Sequence, residues 1–428
     1  MRTRKAYAGF LNKGTAFYLS VFFCAVLVRI RYLWVTGPLV RQHDIYDNGH
    51  LDYIMHVFHT LTLPESNLNE LCQPPLHYFL TALVMRAGAS FGAEITEESK
   101  WLQAFPFALS ILLLPVLYLV IQETEIPDMA KRTASMLVSF CPALIYMSAQ
   151  INNDQTMIFF GALSILFTLR YVKSHGFREL MFSGVFLGLS MMSKFNGACL
   201  ALFMAPLMIA VFVTGTRGPK GKKTGRILAE WGAFLLVSGV LGLWYQVRQF
   251  VVFSQPFGYA VYPDPESLMY TGHTSRRYRF LGISLKELMN GYCDITNDRN
   301  VWTYMFKSSL FGEWSSWNVP AVFKYLLLSA GIVASLWCIA GIFRLIFADR
   351  KTGGLTRASV ALLSLTQIVF FIYFNLNYPF TCSMDFRYVA FLVLPFAVSF
   401  GAMKPYKVSE GLAVVYCICS AVFCLGAS

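Results

Sequence analysis

The stretch RQHDIYDNGHLDYIMHVFHTLTLPESNLNELCQPPLHYFL, residues 41–80, concentrates groups that can move protons. It holds five of the chain's seven histidines and three aspartates. A positioned carboxylate can act as general base toward a hydroxyl, taking its proton as the oxygen attacks. Asp44 is the first candidate for that role. Asp47 follows at three residues' distance, where one helical turn would put both on the same face. His43 and His50 flank the pair as candidate substrate contacts, and Gly49 permits close approach of the backbone. The plainer alternative is a solvated polar loop. His56 and His59, three apart, could form a metal-ligand pair on one helical face. They also suit an amphipathic interfacial helix with Ile54, Val57, Phe58 and Leu61 on its apolar side, the commoner arrangement. No metal site is assigned, and a divalent ion is not favoured.

Further candidates follow along the chain. In CQPPLHYFL, Pro74 and Pro75 give a rigid helix start. Gln73, His77 and Tyr78 beside them suit either an interfacial aromatic anchor or the wall of a substrate site. INND offers Asn152, Asn153 and Asp154, ordinary capping residues for the next helix; Asn153 and Asp154 are also candidate substrate contacts. SKFNG supplies Lys194 and Asn196. A lysine at the end of an apolar hairpin can snorkel to the interface or meet a phosphate. MDFRY supplies Asp385 and Arg387, spaced so that they would not pair directly, which leaves Arg387 free for an anionic ligand. The basic run TSRRYRF, 274–280, reads as surface charge.

The elements that must position these groups lie in lipid. The chain has 428 residues, 56% hydrophobic and only 14% charged, with mean hydropathy +0.53. Soluble domains average about 25% charged residues. Apolar runs of about 20 residues, enough for roughly 30 Å of hydrocarbon, recur throughout. Expected spans are 15–35, 101–121, 133–151, 155–172, 179–193, 197–214, 227–247, 321–346, 357–374, 387–403 and 408–425. The fold class is therefore all-α: a polytopic membrane protein of about 11 transmembrane helices. The basic N-terminus leads into a run too long for a signal-peptide core, so the first helix reads as an uncleaved span. The ten cysteines show no metal-binding spacing.

Charge decides the threading. If PPLHYFLTALVMRAGASFG does not span, one side collects the N-terminal tail, AKR, RYVKSHGFRE, RGPKGKKTGR, ADRKTGGLTR and KPYK, as the positive-inside rule requires of the cytoplasmic side. Residues 74–91 then form a juxtamembrane helix. The net charge of +12 is accounted for by these loops and anionic lipid headgroups, with no nucleic-acid partner. Residues 1–428 read as one membrane domain with two large outer segments, 36–100 and 248–320. All the candidate residues fall on that outer face, although the charge rule did not use them.

The order HD, GH, QPPLHYF, NND, KFNG and late DFRY resembles the C-type membrane glycosyltransferases (GT-C). It resembles in particular the bacterial relatives of protein O-mannosyltransferases and of the lipid A aminoarabinose transferase. The matching positions run through residues 15–215 and, more loosely, the DFRY region. The resemblance implies a transmembrane helical core, juxtamembrane helices in the first outer loop, and an active site at the extracytoplasmic face of the cell membrane. It also implies a polyprenyl-phosphate-linked sugar donor, Asp44 as catalytic base, and Lys194 and Arg387 as donor-phosphate contacts. Two departures stand out. Gln73 occupies a position where relatives often carry a charge, and Ile45 follows Asp44 where mannosyltransferase relatives usually have a second acid, so Asp47 is the partner.

The expected reaction moves the sugar to an acceptor hydroxyl on a glycan, lipid or protein, with inversion. It requires no cofactor, consistent with the lack of any P-loop or dinucleotide motif. The competing reading is a transporter or flippase for a lipid-linked sugar. Transporters place binding residues near the bilayer midplane on broken helices, whereas here the polar groups gather at helix ends.

Overall fold

The computed structural model describes residues 14–215, 224–314 and 317–426. The N-terminal basic tail and most of the loop RGPKGKKTGR lie outside them. Among the described residues seventeen α-helices follow in order. They are α1 Thr15–Val35, α2 His50–Thr60, α3 Leu76–Ser90, α4 Trp101–Gln122, α5 Asp128–Ser139, α6 Pro142–Tyr146, α7 Asp154–Ser174, α8 Phe177–Ser193 and α9 Leu200–Gly215. Then come α10 Thr224–Phe253, α11 Arg276–Phe280, α12 Leu285–Met289, α13 Val301–Phe311, α14 Ala321–Phe343, α15 Gly354–Asn377, α16 Val393–Ala402 and α17 Tyr406–Gly426. No strand occurs among the described residues. In hydrocarbon only helices and closed barrels satisfy their own backbone, so an apolar chain of this kind becomes a bundle.

Among the described residues nine helical segments are long and apolar enough to cross a membrane, with hydropathies from 1.4 to 2.5. Two expected spans are not among them. The segment expected at 179–193 is α8, 17 residues long. The span expected at 133–151 is broken: α5 ends at Ser139, Cys141 is extended, and Pro142 starts α6. Proline disfavours a helical residue before it and supplies no N–H to the helix preceding it, so the chain turns there. The span expected at 387–403 also changes. Residues Phe386–Leu392 form a tight helical turn with a kink at Val389, and only then does α16 begin. Both breaks deliver polar residues to one end of the bundle.

Packing is close where side chains are small. A Cβ added to Gly188 of α8 would lie 2.6 Å from the Cβ of Leu241 in α10. The two backbones approach as membrane helices do through small residues. Arg29 of α1 is buried and needs partners within the bundle. It donates to the Ser110 hydroxyl (2.9 Å), the Ser139 carbonyl (2.9 Å) and the Ala25 carbonyl, tying α1 to α4 and α5. At the opposite end from the candidate residues, Glu123 pairs with Arg170 and Lys173, joining the end of α4 to the end of α7.

The juxtamembrane helices α2 and α3 pack on each other around Tyr53, Ile54, Val57, Tyr78, Ala82 and Met85. Arg86 of α3 donates to the carbonyls of Phe58 and His59, closing the pair. α3 is 15 residues long and is not among the span-length helices, as the charge argument expects.

Candidate active site

The aspartate loop is built from turns, not a helix. Asp44, Asp47 and Asn48 have φ of 44°, 55° and 66°. This left-handed region is one that Asp and Asn visit more readily than most residues. The expectation that Asp44 and Asp47 share a helical face is therefore corrected: α2 begins only at His50. The loop closes when His50 N–H donates to the Asp44 carbonyl (2.7 Å) and Leu51 N–H to that of Ile45 (3.1 Å). A Cβ at position 49 would sit 2.2 Å from the Asp44 carbonyl oxygen, so only glycine fits. Asp52 accepts from the N–H groups of Asn48 and Gly49 and caps α2. The side chains of Asp44 and Asp47 are exposed. Neither carboxylate makes a hydrogen bond or ion pair among the described residues.

Gln42 fastens this loop to the break after α6. Its amide donates to the Ala149 carbonyl (2.9 Å) and accepts from the Ile151 N–H (2.9 Å). His77, fully buried, does the same from α3. Nε2 meets the Ile151 carbonyl at 2.9 Å, so that nitrogen carries the proton, and Nδ1 accepts from the Thr156 hydroxyl at 2.8 Å. Burial pushes the His77 imidazole down to about 4, which keeps it neutral. Tyr78 is also fully buried, stacked on Tyr53 at 3.8 Å and bonded to His50 Nδ1 at 2.8 Å. Both residues hold elements together; neither has surface to offer a wall. Gln73 Oε1 accepts from the Asn153 side-chain amide at 3.4 Å.

Asp154 organises the cations. It stands first in α7, wholly buried, and its Oδ1 lies 2.6 Å from Lys194 Nζ. Its Oδ2 lies 3.8 Å from Arg387 Nη1. Arg387 also approaches Glu313 at 3.9 Å, while Asp385 accepts the Arg387 backbone N–H at 2.8 Å. The expectation of a free Arg387 is thus corrected: two carboxylates from other elements hold it. Even so, its Nε has no hydrogen-bond partner among the described residues. Tyr388 presents its ring to both cations, each 5.1 Å from the centroid. Asn153 stands at the N-cap of α7 without a side-chain cap bond, and Asn152 Oδ1 accepts the Asp154 N–H at 3.2 Å. Asn196 lies partly buried in the turn Phe195–Cys199 beside Lys194.

Glu313 and Glu70 are functional candidates that the sequence reading missed. Glu313 accepts from His43 Nδ1 at 2.8 Å, so His43 bridges the aspartate loop to the outer segment. His43, Tyr146, Gln150, Trp314, Asp385 and Arg387 line one small cleft. Glu70 lies 3.6 Å from His50 Nε2. Burial, reinforced by the nearby Asp44 charge, raises the Glu70 carboxyl to about 7. Burial and the positive groups around it hold His50 well below the usual histidine range. Neither missed residue belongs to a motif, and each is marked only once its neighbours are known.

His56 and His59 belong to no group of three converging metal-ligand atoms among the described residues. His56 meets the Thr62 hydroxyl, and His59 is exposed against Phe58. Among the described residues the ligand atoms that converge are those of His43, Glu313 and Asp385, within 4.8 Å of one another. Arg387 already lies against this trio, and a guanidinium there competes with a divalent cation for the same carboxylates. Within TSRRYRF, Arg279 is buried and donates to the Asn375 carbonyl at 2.8 Å, an anchor rather than surface charge.

Residues 73–244 match the family model described as dolichyl-phosphate-mannose-protein mannosyltransferase. No curated protein matches the chain. Among solved structures, the apo oligosaccharyltransferase of Archaeoglobus fulgidus is 12% identical, with a TM-score of 0.51 over 97% of this chain and 56% of that one. The S. cerevisiae protein O-mannosyltransferase Pmt1-Pmt2 complex bound to the sugar donor is 16% identical, covering 62% of this chain and 36% of that one at a TM-score of 0.41. ArnT from Cupriavidus metallidurans bound to undecaprenyl phosphate is 13% identical, covering 94% of this chain and 78% of that one at a TM-score of 0.40. The chain thus spans little more than half the length of the oligosaccharyltransferase and about a third of the mannosyltransferase. The family match covers residues 73–244, less than half of the chain, and the fold is similar to that of the oligosaccharyltransferase.

Proposed function

We propose that the protein transfers a sugar from a polyprenyl-phosphate-linked donor to an acceptor hydroxyl at the extracytoplasmic face of the cell membrane, inverting the anomeric centre. The acceptor is a glycan, lipid or protein, and membrane lipid surrounds the reaction. The observation that carries this reading is the carboxylate of Asp154 holding Lys194 and Arg387 together, with Asp44 exposed on the loop whose His43 meets Glu313 beside Arg387. The family match over residues 73–244 supports it.

The chemistry follows from charge. When the bond between the anomeric carbon and phosphate oxygen breaks, its electron pair leaves with the lipid phosphate. Lys194 and Arg387 stabilise that anion, and being preorganised they need no rearrangement as the charge develops. The unpartnered Arg387 Nε is a donor available to a phosphate oxygen. Asp44 takes the acceptor's proton from the opposite side, and attack opposite the leaving group inverts the centre. His43, His50, His77, Tyr78, Gln73, Asn153, Asn196, Asp385 and Asp47 then shape or support the pocket around these groups. Cofactors have no step to perform.

The test is transfer of radiolabelled sugar from a short polyprenyl-phosphate donor by the purified protein in vesicles, with the anomeric configuration of the product read by NMR. Transfer with inversion is expected. Label that crosses the bilayer still attached to its lipid would instead support the transporter reading.

A further inference from the structure

We infer that the groove between α1 and α17 binds one anionic phospholipid, with an acyl chain along the helices and the headgroup phosphate on Arg31. The site is separate from the donor and acceptor positions proposed above, and the inference does not depend on them.

The groove has a volume of about 400 Å³ and an almost wholly apolar lining. Cys24, Leu27 and Val28 form its α1 wall, Met136 and Phe140 its floor, and α17 residues from Val414 to Leu425 the opposite wall. It shares no lining residue with the cleft at His43. From Val414 to Leu425 a helix rises about 16 Å, close to half of the roughly 30 Å hydrocarbon thickness. The groove therefore runs the depth of one leaflet. Its volume over that length gives a cross-section of about 25 Å². An extended hydrocarbon chain, at carbon contact distances of about 4–4.5 Å, needs about 20 Å². A helix about 10–12 Å across needs about 80–110 Å². The groove is wide enough for a single chain and too narrow for a helix of a second copy. A straight acyl chain fits it better than an isoprenoid, whose methyl branches widen the chain.

Arg31 marks the head of the groove. It follows Val28, Leu27 and Cys24 by three, four and seven residues, so the helical period sets it on the same face of α1. Packing fixes its level. Tyr146 meets the Tyr32 ring at 5.4 Å and the Cys424 thiol at 3.9 Å. Arg31 and Leu425, the chain neighbours of those two, therefore stand at the same end of the groove. Arg29, two residues earlier, gives its guanidinium to three protein oxygens. Arg31 makes no hydrogen bond or ion pair among the described residues, and its buried Nη1 has no partner.

An arginine near the end of a span lays its stem along apolar surface and carries its charge toward the headgroups. There a guanidinium matches a phosphate in two parallel hydrogen bonds. A phosphatidylglycerol headgroup neutralises that charge outright, whereas phosphatidylcholine brings an ammonium of its own. The apolar length and the cation at one end together specify a straight-chain lipid with an anionic head.

The experiment takes the full chain from vesicles of equal phosphatidylglycerol and phosphatidylcholine into detergent and weighs it by native mass spectrometry. Wild type should retain one phospholipid, with phosphatidylglycerol favoured about fivefold, the effect of one basic residue on an anionic lipid. Arg31→Gln should lose that preference, and Arg31→Lys should keep it. Cys24→Phe, which fills the groove from an exposed position, should lose the retained lipid. A phosphatidylglycerol with a diazirine on its acyl chain probes wild type alone, and its crosslinks should fall on α1 and α17. Equal retention of the two lipids by wild type, a preference unchanged in Arg31→Gln, or crosslinks on other helices would each overturn the inference. A retained polyprenyl phosphate in place of the phospholipid would overturn it as well.

Discussion

Lys194 and Arg387 reach the site from different chain segments and meet on a single carboxylate, Asp154. Replacing either cation with alanine should weaken donor binding by roughly tenfold to a hundredfold, since a hydrogen bond to a charged group contributes about 1.5–3 kcal/mol. Binding of a polyprenyl-phosphate analogue to the purified variants measures it; unchanged affinity in both would return them to interfacial snorkelling. Asp154 behaves differently because it is wholly buried. Removing it leaves Lys194 unpaired and Arg387 with Glu313 alone in a dry environment, and Asp154→Ala should cost about 3–5 kcal/mol of stability. Thermal melting in detergent reads that loss. Full stability with lost donor binding would show instead that Asp154 acts on the ligand directly.

At the scale of elements, His77 holds α3 against the start of α7 through Thr156 and the Ile151 carbonyl. His77→Ala strands both partners in the interior. Each buried group left unpaired costs about 1–3 kcal/mol, so the variant should melt markedly earlier and turn over more slowly through a displaced Asp154. Unchanged melting would mean that water replaces the imidazole. The elements differ in how legible they were. Long apolar runs such as α1 and α4 declare themselves because the bilayer demands length and hydrophobicity. Charge parity predicts α3 outside the spans, and its 15 residues leave it out of the span-length helices. The break before Pro142 was written in the sequence, but an apolar run continues on both sides and hides it. The kinked turn at 386–392 had no such marker. Within the site, Asp44, Lys194 and Arg387 stood out because charge is rare near helix ends. Asp154 looked like a cap, and Glu70 and Glu313 belong to no motif that singles them out. Their roles depend on partners many residues away in the chain.

For the whole molecule, the convergence of loop 36–49, the 150–154 break, Lys194, Glu313 and Arg387 at one end implies a single working face. Sidedness is testable with cysteines introduced into a background lacking the native ones. Glu97→Cys should react with an impermeant reagent from outside, and Lys351→Cys only after permeabilisation. The reverse pattern would place the site on the cytoplasmic side. The central claim is that this face activates an acceptor hydroxyl through Asp44, exposed and without an ion pair among the described residues, beside a preorganised pair of cations. Asp44→Asn keeps shape and hydrogen bonding while removing proton affinity. The decisive measurement is sugar-transfer turnover of wild type, Asp44→Asn and Asp47→Asn in vesicles, with donor binding measured on the same preparations. Donor binding should persist in all three, Asp44→Asn should lose about 10²–10⁴-fold in turnover, and Asp47→Asn should lose less. Near-native turnover of Asp44→Asn would contradict the account, and if Asp47→Asn collapsed beside it, the base would be Asp47.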